Sequence, residues 1–248
     1  MVRRRLSSEI VRRGLAPDLQ ASDELIARGR VTVGGASASN PARLVAADEP
    51  ILVGDESHFV SRGGEKLAGA LEDLRIEVQD LVALDLGCST GGFTDCLLQR
   101  GCRHVFALDV GRAQLHERLR ADTRVSVFEG VHVREVGRVV DVSTVQLIVV
   151  DLSFISACAA IAATSSTLSP GTSMVVLVKP QFEAPRREAD RSGGVVTNPT
   201  VIEAAIQRVE NCALRGGLEV VGRAQSRVVG RRGNLECFVH FRRPTRFL

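Results

Sequence analysis

Residues 81–95 read LVALDLGCSTGGFTD, and the fold turns on that stretch. Leu81 to Leu84 is an apolar run of strand length that Asp85 closes. Gly87, Gly91 and Gly92 follow, where a chain must turn tightly out of a strand and into a helix, here expected at 91–100. The same grammar recurs downstream: Asp109 closes Val105 to Leu108, Asp151 closes Leu147 to Val150, and Lys179 closes Met174 to Val178. Val125 to Phe128 supplies a fifth strand. Helical patterns near 64–74, 155–167 and 199–215 complete an alternation that predicts an α/β, Rossmann-like domain with a largely parallel sheet. Glu219 to Val229 and Leu235 to Phe241, joined by Gly230-Arg231-Arg232-Gly233-Asn234, read as a C-terminal antiparallel hairpin.

Asp85, Asp109, Asp151 and Lys179 therefore fall on one edge of the sheet, and open α/β sheets bind ligands outside the carboxyl ends of their strands. A lone aspartate after a strand is usually a turn or cap residue; four polar residues in that position argue for a site. The glycine spacing is G-x-x-x-G-G with an acid in front, not the G-x-G-x-x-G of a pyrophosphate turn, so a nicotinamide dehydrogenase is the poorer fit. An acid before the turn suits a ligand with an amino group, such as the methionine end of S-adenosylmethionine. Asp109 stands where an acid holds ribose hydroxyls. The candidate cofactor residues are Asp85, Gly87, Ser89, Thr90, Gly91, Gly92, Phe93 and Asp109.

In front of this domain, residues 1–54 read as a smaller α+β unit, with 55–60 as connector and 61–248 as the larger domain. Ser7 or Ser8 is expected to cap a helix carrying Ile10 and Val11 that stops at Gly14, and a second helix with Leu25 and Ile26 stops at Gly29. Short strands follow at Val31–Val33, Leu44–Val45 and Ile51–Val53, with a turn at Gly34-Gly35. Net charge is only +3, yet arginines gather at both ends of the chain. Arg3, Arg4, Arg5, Arg12, Arg13, Arg62, Arg231 and Arg232 are the candidate RNA-phosphate contacts, the alternative being a solvated surface.

Composition excludes several classes. Hydrophobic residues at 44% and charged residues at 25% describe a chain that can bury a core, not a disordered one. No apolar run approaches the roughly 20 residues of a membrane-spanning helix, and no apolar stretch follows Arg3–Arg5 as a secretory leader requires, so a cytoplasmic protein without a membrane partner is expected. The six cysteines form no C-x-x-C pair and are expected to be buried, reduced thiols; with five scattered histidines, no metal site is expected. Of the 32 basic residues only Lys66 and Lys179 are lysine. Arginine is in effect never deprotonated, whereas lysine can be, so both lysines are candidates for proton chemistry.

The motifs DLGCSTGGFTD, ALDVGRAQLH, DLSFIS, VKPQFEA and GNLECF occur in the order found in the TlyA family, related to the FtsJ-type 2′-O-methyltransferases, and the chain resembles that family over nearly its whole length. The front unit, through RRGLAPDLQASDELIARGRVTVGG, resembles the S-four-like RNA-binding domain. It departs from the pattern at Pro17 to Gln20, where a serine-arginine pair is usual, and the connector carries Phe59 where a larger aromatic is common. The resemblance implies an S-adenosylmethionine-dependent RNA 2′-O-methyltransferase that acts on ribosomal RNA or ribosomal subunits, with cytidine the usual target. It also implies a catalytic set at Lys66 in SRGGEKL, Asp151, Lys179 and Glu236. A ribose 2′-hydroxyl is a poor nucleophile that must lose its proton and align with the methyl group. Lys179 is expected to be the base and Lys66 to position or polarise the hydroxyl, with Asp151 and Glu236 fixing the two lysines. The competing readings are an RNA-binding scaffold with an inactive methyltransferase domain and, from another name used in the family, a membrane-active hemolysin.

Overall fold

The computed structural model describes residues 3–27, 29–54, 58–184, 195–230 and 233–245, without the side chains of Ala36 and Ser37. The front unit runs β1 (Arg3–Arg5), α1 (Leu6–Arg12), α2 (Leu19–Ala27), β2 (Val31–Val33), β3 (Ala36–Ser37), β4 (Leu44–Ala46) and β5 (Ile51–Val53). It has two small sheets, β1 antiparallel to β4, and β2 between β3 and β5. One expectation is corrected and one element is added. The first helix begins at Leu6, ahead of Ser7 and Ser8, because Leu6 and Ile10 are both fully buried; its cap position is Arg5, with no side-chain cap. Arg3 to Arg5 form a strand paired to Arg5↔Leu44 through Arg3↔Ala46, which no apolar pattern announces. Leu6, Ile10, Ile26, Val31, Val33, Val45 and Ile51 pack into a core of their own.

The larger unit continues with α3 (Arg62–Asp73), β6 (Val82–Leu86), α4 (Gly92–Gln99), β7 (His104–Asp109), α5 (Glu117–Arg120) and β8 (Val125–Glu129). After two 3-10 turns come β9 (Leu147–Val150), α6 (Cys158–Thr164), β10 (Ser173–Val178), α7 (Pro180–Glu183), α8 (Pro199–Arg215), β11 (Glu219–Gln225) and β12 (Cys237–Arg242). The sheet order is β11-β12-β10-β9-β6-β7-β8, with β6 to β10 parallel and β11 and β12 antiparallel. The hairpin is shorter than expected: a bulge between Val220 and Gly222 disturbs β11, and the strands are joined by 226–236.

Parallel strands covered on both faces must be apolar throughout, and alternate residues here serve opposite layers. Leu84, Ile148, Val150, Val176 and Val178 face Ala160, Ile161, Ile206 and Val209 of α6 and α8. Ala83, Val105, Val149, Val175 and Leu177 face Leu67, Leu71, Cys96 and Leu97 of α3 and α4. This double burial fixes the register of β6, β7, β9 and β10, and with β8 paired parallel to β7 all five carboxyl ends lie at one edge. From β6 the chain winds outward through β7 and β8, then returns to β9 on the other side. The reversal leaves a crevice above β6 and β9, where such sheets take their ligands.

One cysteine expectation fails. Cys158 on α6 and Cys212 on α8 are joined by a disulfide, 5.7 Å between Cα atoms, while Cys88, Cys96 and Cys102 are buried free thiols as expected and Cys237 is half-buried. A separation of 54 residues gives no spacing signal; only the packing of the two helices brings the pair together.

Candidate active site

At the β6 end, Asp85 lies inside the strand, one residue short of its last, and its side chain is fully buried. Oδ2 accepts from Thr94 Oγ1 at 2.6 Å, and Oδ1 is buried with no partner. Burial pushes the carboxyl up to about 7, against the hydrogen bond from Thr94. The turn above it is shaped by close approaches. A Cβ on Gly87 would lie 2.5 Å from the Asp151 carbonyl oxygen, and one on Gly92 would lie 2.3 Å from Ser61 Oγ and 2.8 Å from the Gly64 amide. Gly87 thereby lets β6 and β9 ends touch, and Gly92 lets the start of α3 sit on the turn. Ser89 and Thr90 are exposed at its crest, while Phe93 turns inward against Phe238, 6.0 Å between ring centroids. Asp109 closes β7 and accepts from the Ser89 amide at 2.9 Å and the Gly111 amide at 2.7 Å.

On the other side of the crevice stand two ion pairs. Lys179, almost completely buried where β10 passes into α7, pairs with Asp151 and donates to Ser153 Oγ at 3.0 Å. Lys66, one turn into α3, meets Glu236 at 2.6 Å, and Glu236 is itself buried. Glu236 precedes β12, whose Cys237 pairs with Val178, so the antiparallel strand delivers it beside the Lys179 end of β10. Residues 66, 151, 179 and 236, expected to act together, thus arise at one sheet edge as two lysine-carboxylate pairs. Loop 226–236 is also tied along α3. Arg62 donates to the Val229 carbonyl at 2.7 Å, and Arg227 meets Glu72 at 2.8 Å and Asp73 at 2.6 Å.

The arginine candidates separate by geometry. Arg3, Arg4 and Arg5 are exposed along β1. Arg12 and Arg13 instead clasp the buried Glu9 at 2.6 and 2.8 Å, and Arg13 also donates to the carbonyls of Ala46, Ala47 and Glu49. These guanidiniums hold Glu9 well below the usual carboxylate range, at about 2. Arg231 and Arg232 lie outside the described residues, as do 55–57 of the connector. The rest of the connector is docked: the Val60 amide reaches Asp95 at 2.8 Å, and Gln99 donates to the His58 carbonyl at 2.7 Å.

Two residues that sequence reasoning passed over stand at the same edge. Phe154, 92% exposed, has a positive φ of 67° and lies 5.2 Å from the ring of Phe182, over which the Lys179 ammonium sits at 5.9 Å. Val110, directly after Asp109, is 68% exposed. An exposed aromatic in a strained backbone is rarely left so without a use, but neither φ nor exposure is written in the motif DLSF.

The model of one family matches this edge and the whole sheet: FtsJ-like methyltransferase, over residues 59–243. The chain belongs to the FtsJ-like methyltransferase family. It is 41% identical over 245 residues to the 16S/23S rRNA (cytidine-2′-O)-methyltransferase TlyA of Mycobacterium tuberculosis, covering 98% of this chain and 91% of that protein. It is 33% identical to a protein of Brachyspira hyodysenteriae named Hemolysin A, over 96% of this chain and 99% of that one. Among solved structures, a "Putative hemolysin" from Streptococcus thermophilus superposes with a TM-score of 0.75 at 32% identity, covering 98% of this chain and 90% of that chain. Among the described residues no helix is long and apolar enough to cross a membrane, and no cluster could hold a metal ion.

The methyl donor of this FtsJ-like methyltransferase is S-adenosylmethionine, and the β6–β7 edge fits it. The exposed Ser89-Thr90 crest, the unpartnered oxygen of Asp85 beneath it and the Asp109 carboxylate suit a ligand with an amino group at one end and a diol further along.

Proposed function

We propose that this methyltransferase modifies the 2′-hydroxyl of a cytidine in ribosomal RNA, presented by a ribosomal subunit, with no metal in the reaction. The observation that carries the reading is the pair of buried lysine-carboxylate ion pairs beside the cofactor turn. When bound, S-adenosylmethionine supplies an electrophilic methyl group on its sulfonium. Asp85, Ser89, Thr90 and the Gly87, Gly91 and Gly92 backbone receive its amino-acid end, and Asp109 its ribose hydroxyls. Phe93 supports that turn from the core side.

Lys179 takes the proton of the attacking hydroxyl. Asp151 and Ser153 hold its nitrogen in place through the exchange. Lys66, held by Glu236, points a second donor at the hydroxyl oxygen as charge develops on it. Phe154, braced by Phe182, offers an exposed ring on which a base turned out of its stack can lie, and Val110 offers an apolar flank to the adenine.

Residues 1–54 act as a separate RNA-binding domain joined by 55–60 to the catalytic domain 61–248, a division supported by the self-contained core of the front unit. Arg3, Arg4 and Arg5 are its exposed phosphate donors, with Arg4 also lying 3.9 Å from Glu9. Arg12 and Arg13 are first a clamp on Glu9, and Arg62 first a tie to loop 226–236, each with donors left for phosphate. A ribosomal substrate places the protein in the cytoplasm.

The test is methyl transfer from labelled S-adenosylmethionine to purified 30S and 50S subunits, comparing wild type with Lys179→Ala. Label in RNA that resists alkaline hydrolysis and disappears with the substitution supports 2′-O-methylation and names the subunit. Absence of transfer to either subunit, with cofactor binding intact, would turn the reading toward an RNA-binding scaffold.

A further inference from the structure

Glu129 ends β8 directly opposite Asp109 of β7 in the sheet register. Its carboxylate is encircled by the chain that follows β7. Oε2 accepts from the Ala113 amide at 2.9 Å. Oε1 accepts from the amides of Gln114 at 3.0 Å and Leu115 at 3.3 Å, and from Arg120 Nη2 at 2.7 Å. Three successive amides converging on one carboxylate form an anion nest. Bonded first by the Ala113 amide, Glu129 stays well below the usual range, at about 2, and so remains charged at any physiological pH.

The loop it holds is under strain. Ala113 has a φ of +54°, a region that an alanine rarely adopts and that persists only where its surroundings enforce it. Both ends of the loop lead to cofactor positions. The Gly111 amide donates to Asp109 Oδ1, the Gly130 amide to the Gly111 carbonyl at 2.9 Å, and the Val131 amide to the Asp109 carbonyl at 3.1 Å. At the far end the His116 amide donates to the Thr90 carbonyl at 3.2 Å. One carboxylate therefore braces the segment that runs from the ribose acid, through Val110, to the crest of the glycine turn.

We propose that Glu129 is a positioning residue for the nucleoside end of the cofactor, acting through the 110–116 loop and not by touching the ligand. The proposal rests on the reading of this edge as the S-adenosylmethionine site. Glu129 differs from Asp109, whose oxygens accept one amide each and keep room for a hydroxyl, because Glu129 accepts four donors, three of them on Oε1.

The experiment measures S-adenosylhomocysteine affinity by calorimetry for wild type, Glu129→Ala, Glu129→Gln and Asp122→Ala. It adds hydrogen exchange at the 113–115 amides, and kcat and KM for S-adenosylmethionine on ribosomal subunits. In Glu129→Ala the loop amides exchange faster, and Kd and KM rise together about 30-fold, equivalent to ~2 kcal/mol, with kcat at saturating cofactor within about threefold of wild type. Glu129→Gln, which keeps an acceptor but not the charge, recovers part of the affinity and also covers the case of an alanine variant that does not fold. Asp122→Ala, which removes a surface pair with Arg124 before β8, leaves affinity unchanged. Faster loop exchange with unaltered affinity, or a fall in kcat with KM unchanged, would overturn the proposal. Wild type that binds no S-adenosylhomocysteine would overturn the cofactor reading along with it, so the two failures are told apart by which protein fails.

Discussion

The two halves of the sheet edge are built on different physical lines. Across β6, β7 and β8, the acids are spent on the chain itself: Asp85 on Thr94, Asp109 on the amides of Ser89 and Gly111, and Glu129 on three loop amides. Across β9, β10 and the start of β12, the carboxylates are spent on lysines, Asp151 on Lys179 and Glu236 on Lys66. The first half is a shaped backbone surface, suited to a ligand that is bound and released. The second sets lysine-carboxylate pairs in a largely buried setting, where charge interactions are stronger than in water. Substitutions in the first half should therefore act on cofactor affinity and those in the second on turnover.

The sharpest break of that division is at Lys179. Lys179→Ala is expected to lower kcat by at least about 10³-fold while S-adenosylhomocysteine affinity stays within about twofold of wild type. Lys179→Arg should be as inactive, since a guanidinium keeps its proton. Single-turnover transfer to the modified subunit, measured beside calorimetry, checks both. A parallel loss of product binding would mean that the halves are not separable.

Next in size is the disulfide, which belongs to neither half. Cys158 and Cys212 link α6 to α8 across a span that contains β10 and α7. In the chain-entropy account, closing 54 residues stabilises by about 4 kcal/mol. The oxidised protein should lose several degrees of Tm on reduction, and Cys212→Ser should lose as much with no further response to reductant. Equal Tm with and without reductant would show that the pair remains as thiols.

How far the edge could be read from sequence follows the same division. Four of the five parallel strands, β6, β7, β9 and β10, were legible because an apolar run of four or five residues is closed by a charge and packs into both layers, while β8, half-buried at the sheet edge, was legible from Val125, Val127 and Phe128 alone. Asp109, Asp151 and Lys179 were placed by that rule alone. Lys66 and Glu236 were not: they lie 170 residues apart, and only the family resemblance joined them before the fold did. Phe154 was missed because its signature is a backbone angle, and Glu129 because its partners are amides, which every residue carries. Arg3 to Arg5 were missed as a strand because an arginine run has no periodicity to read.

A further comparison sets Glu129 beside Glu183, the last residue of α7. Glu183 is buried and accepts from Ser156 Oγ and the Ala157 amide, both at 2.6 Å, so it ties the segment after Asp151 to the helix after Lys179. Arg208 of α8 donates to its carbonyl at 2.8 Å. It holds the loop after Asp151 as Glu129 holds the 110–116 loop. Glu183→Ala is expected to lower kcat about 30-fold, ~2 kcal/mol, through looser placement of Ser153 and Phe154, while KM for the cofactor holds. Should Glu183→Ala and Glu129→Ala instead share one kinetic signature, the edge would be a single cooperative unit.

The smallest effect concerns two buried groups whose titrations act on stability in opposite directions. His240, in β12, bonds to Ser173 and is pushed down to about 4, mainly by burial, while Asp85 in β6 is pushed up to about 7. Unfolding lets His240 take a proton below its ordinary 6.5, so its contribution to stability is full above 6.5 and is lost as pH falls toward 4. Asp85 runs the other way. Its proton is kept in the fold but lost near 3.8 in the unfolded chain, so its contribution is full below 3.8 and is lost as pH rises toward 7. Between pH 4 and 6.5 the two contributions cancel in the wild type. Asp85→Asn should uncover a rise of about 1.4 kcal/mol per pH unit across pH 5 to 6, and His240→Gln a fall of similar slope. Urea melts at three pH values read both, and matching flat profiles in the two variants would mean that water reaches these side chains.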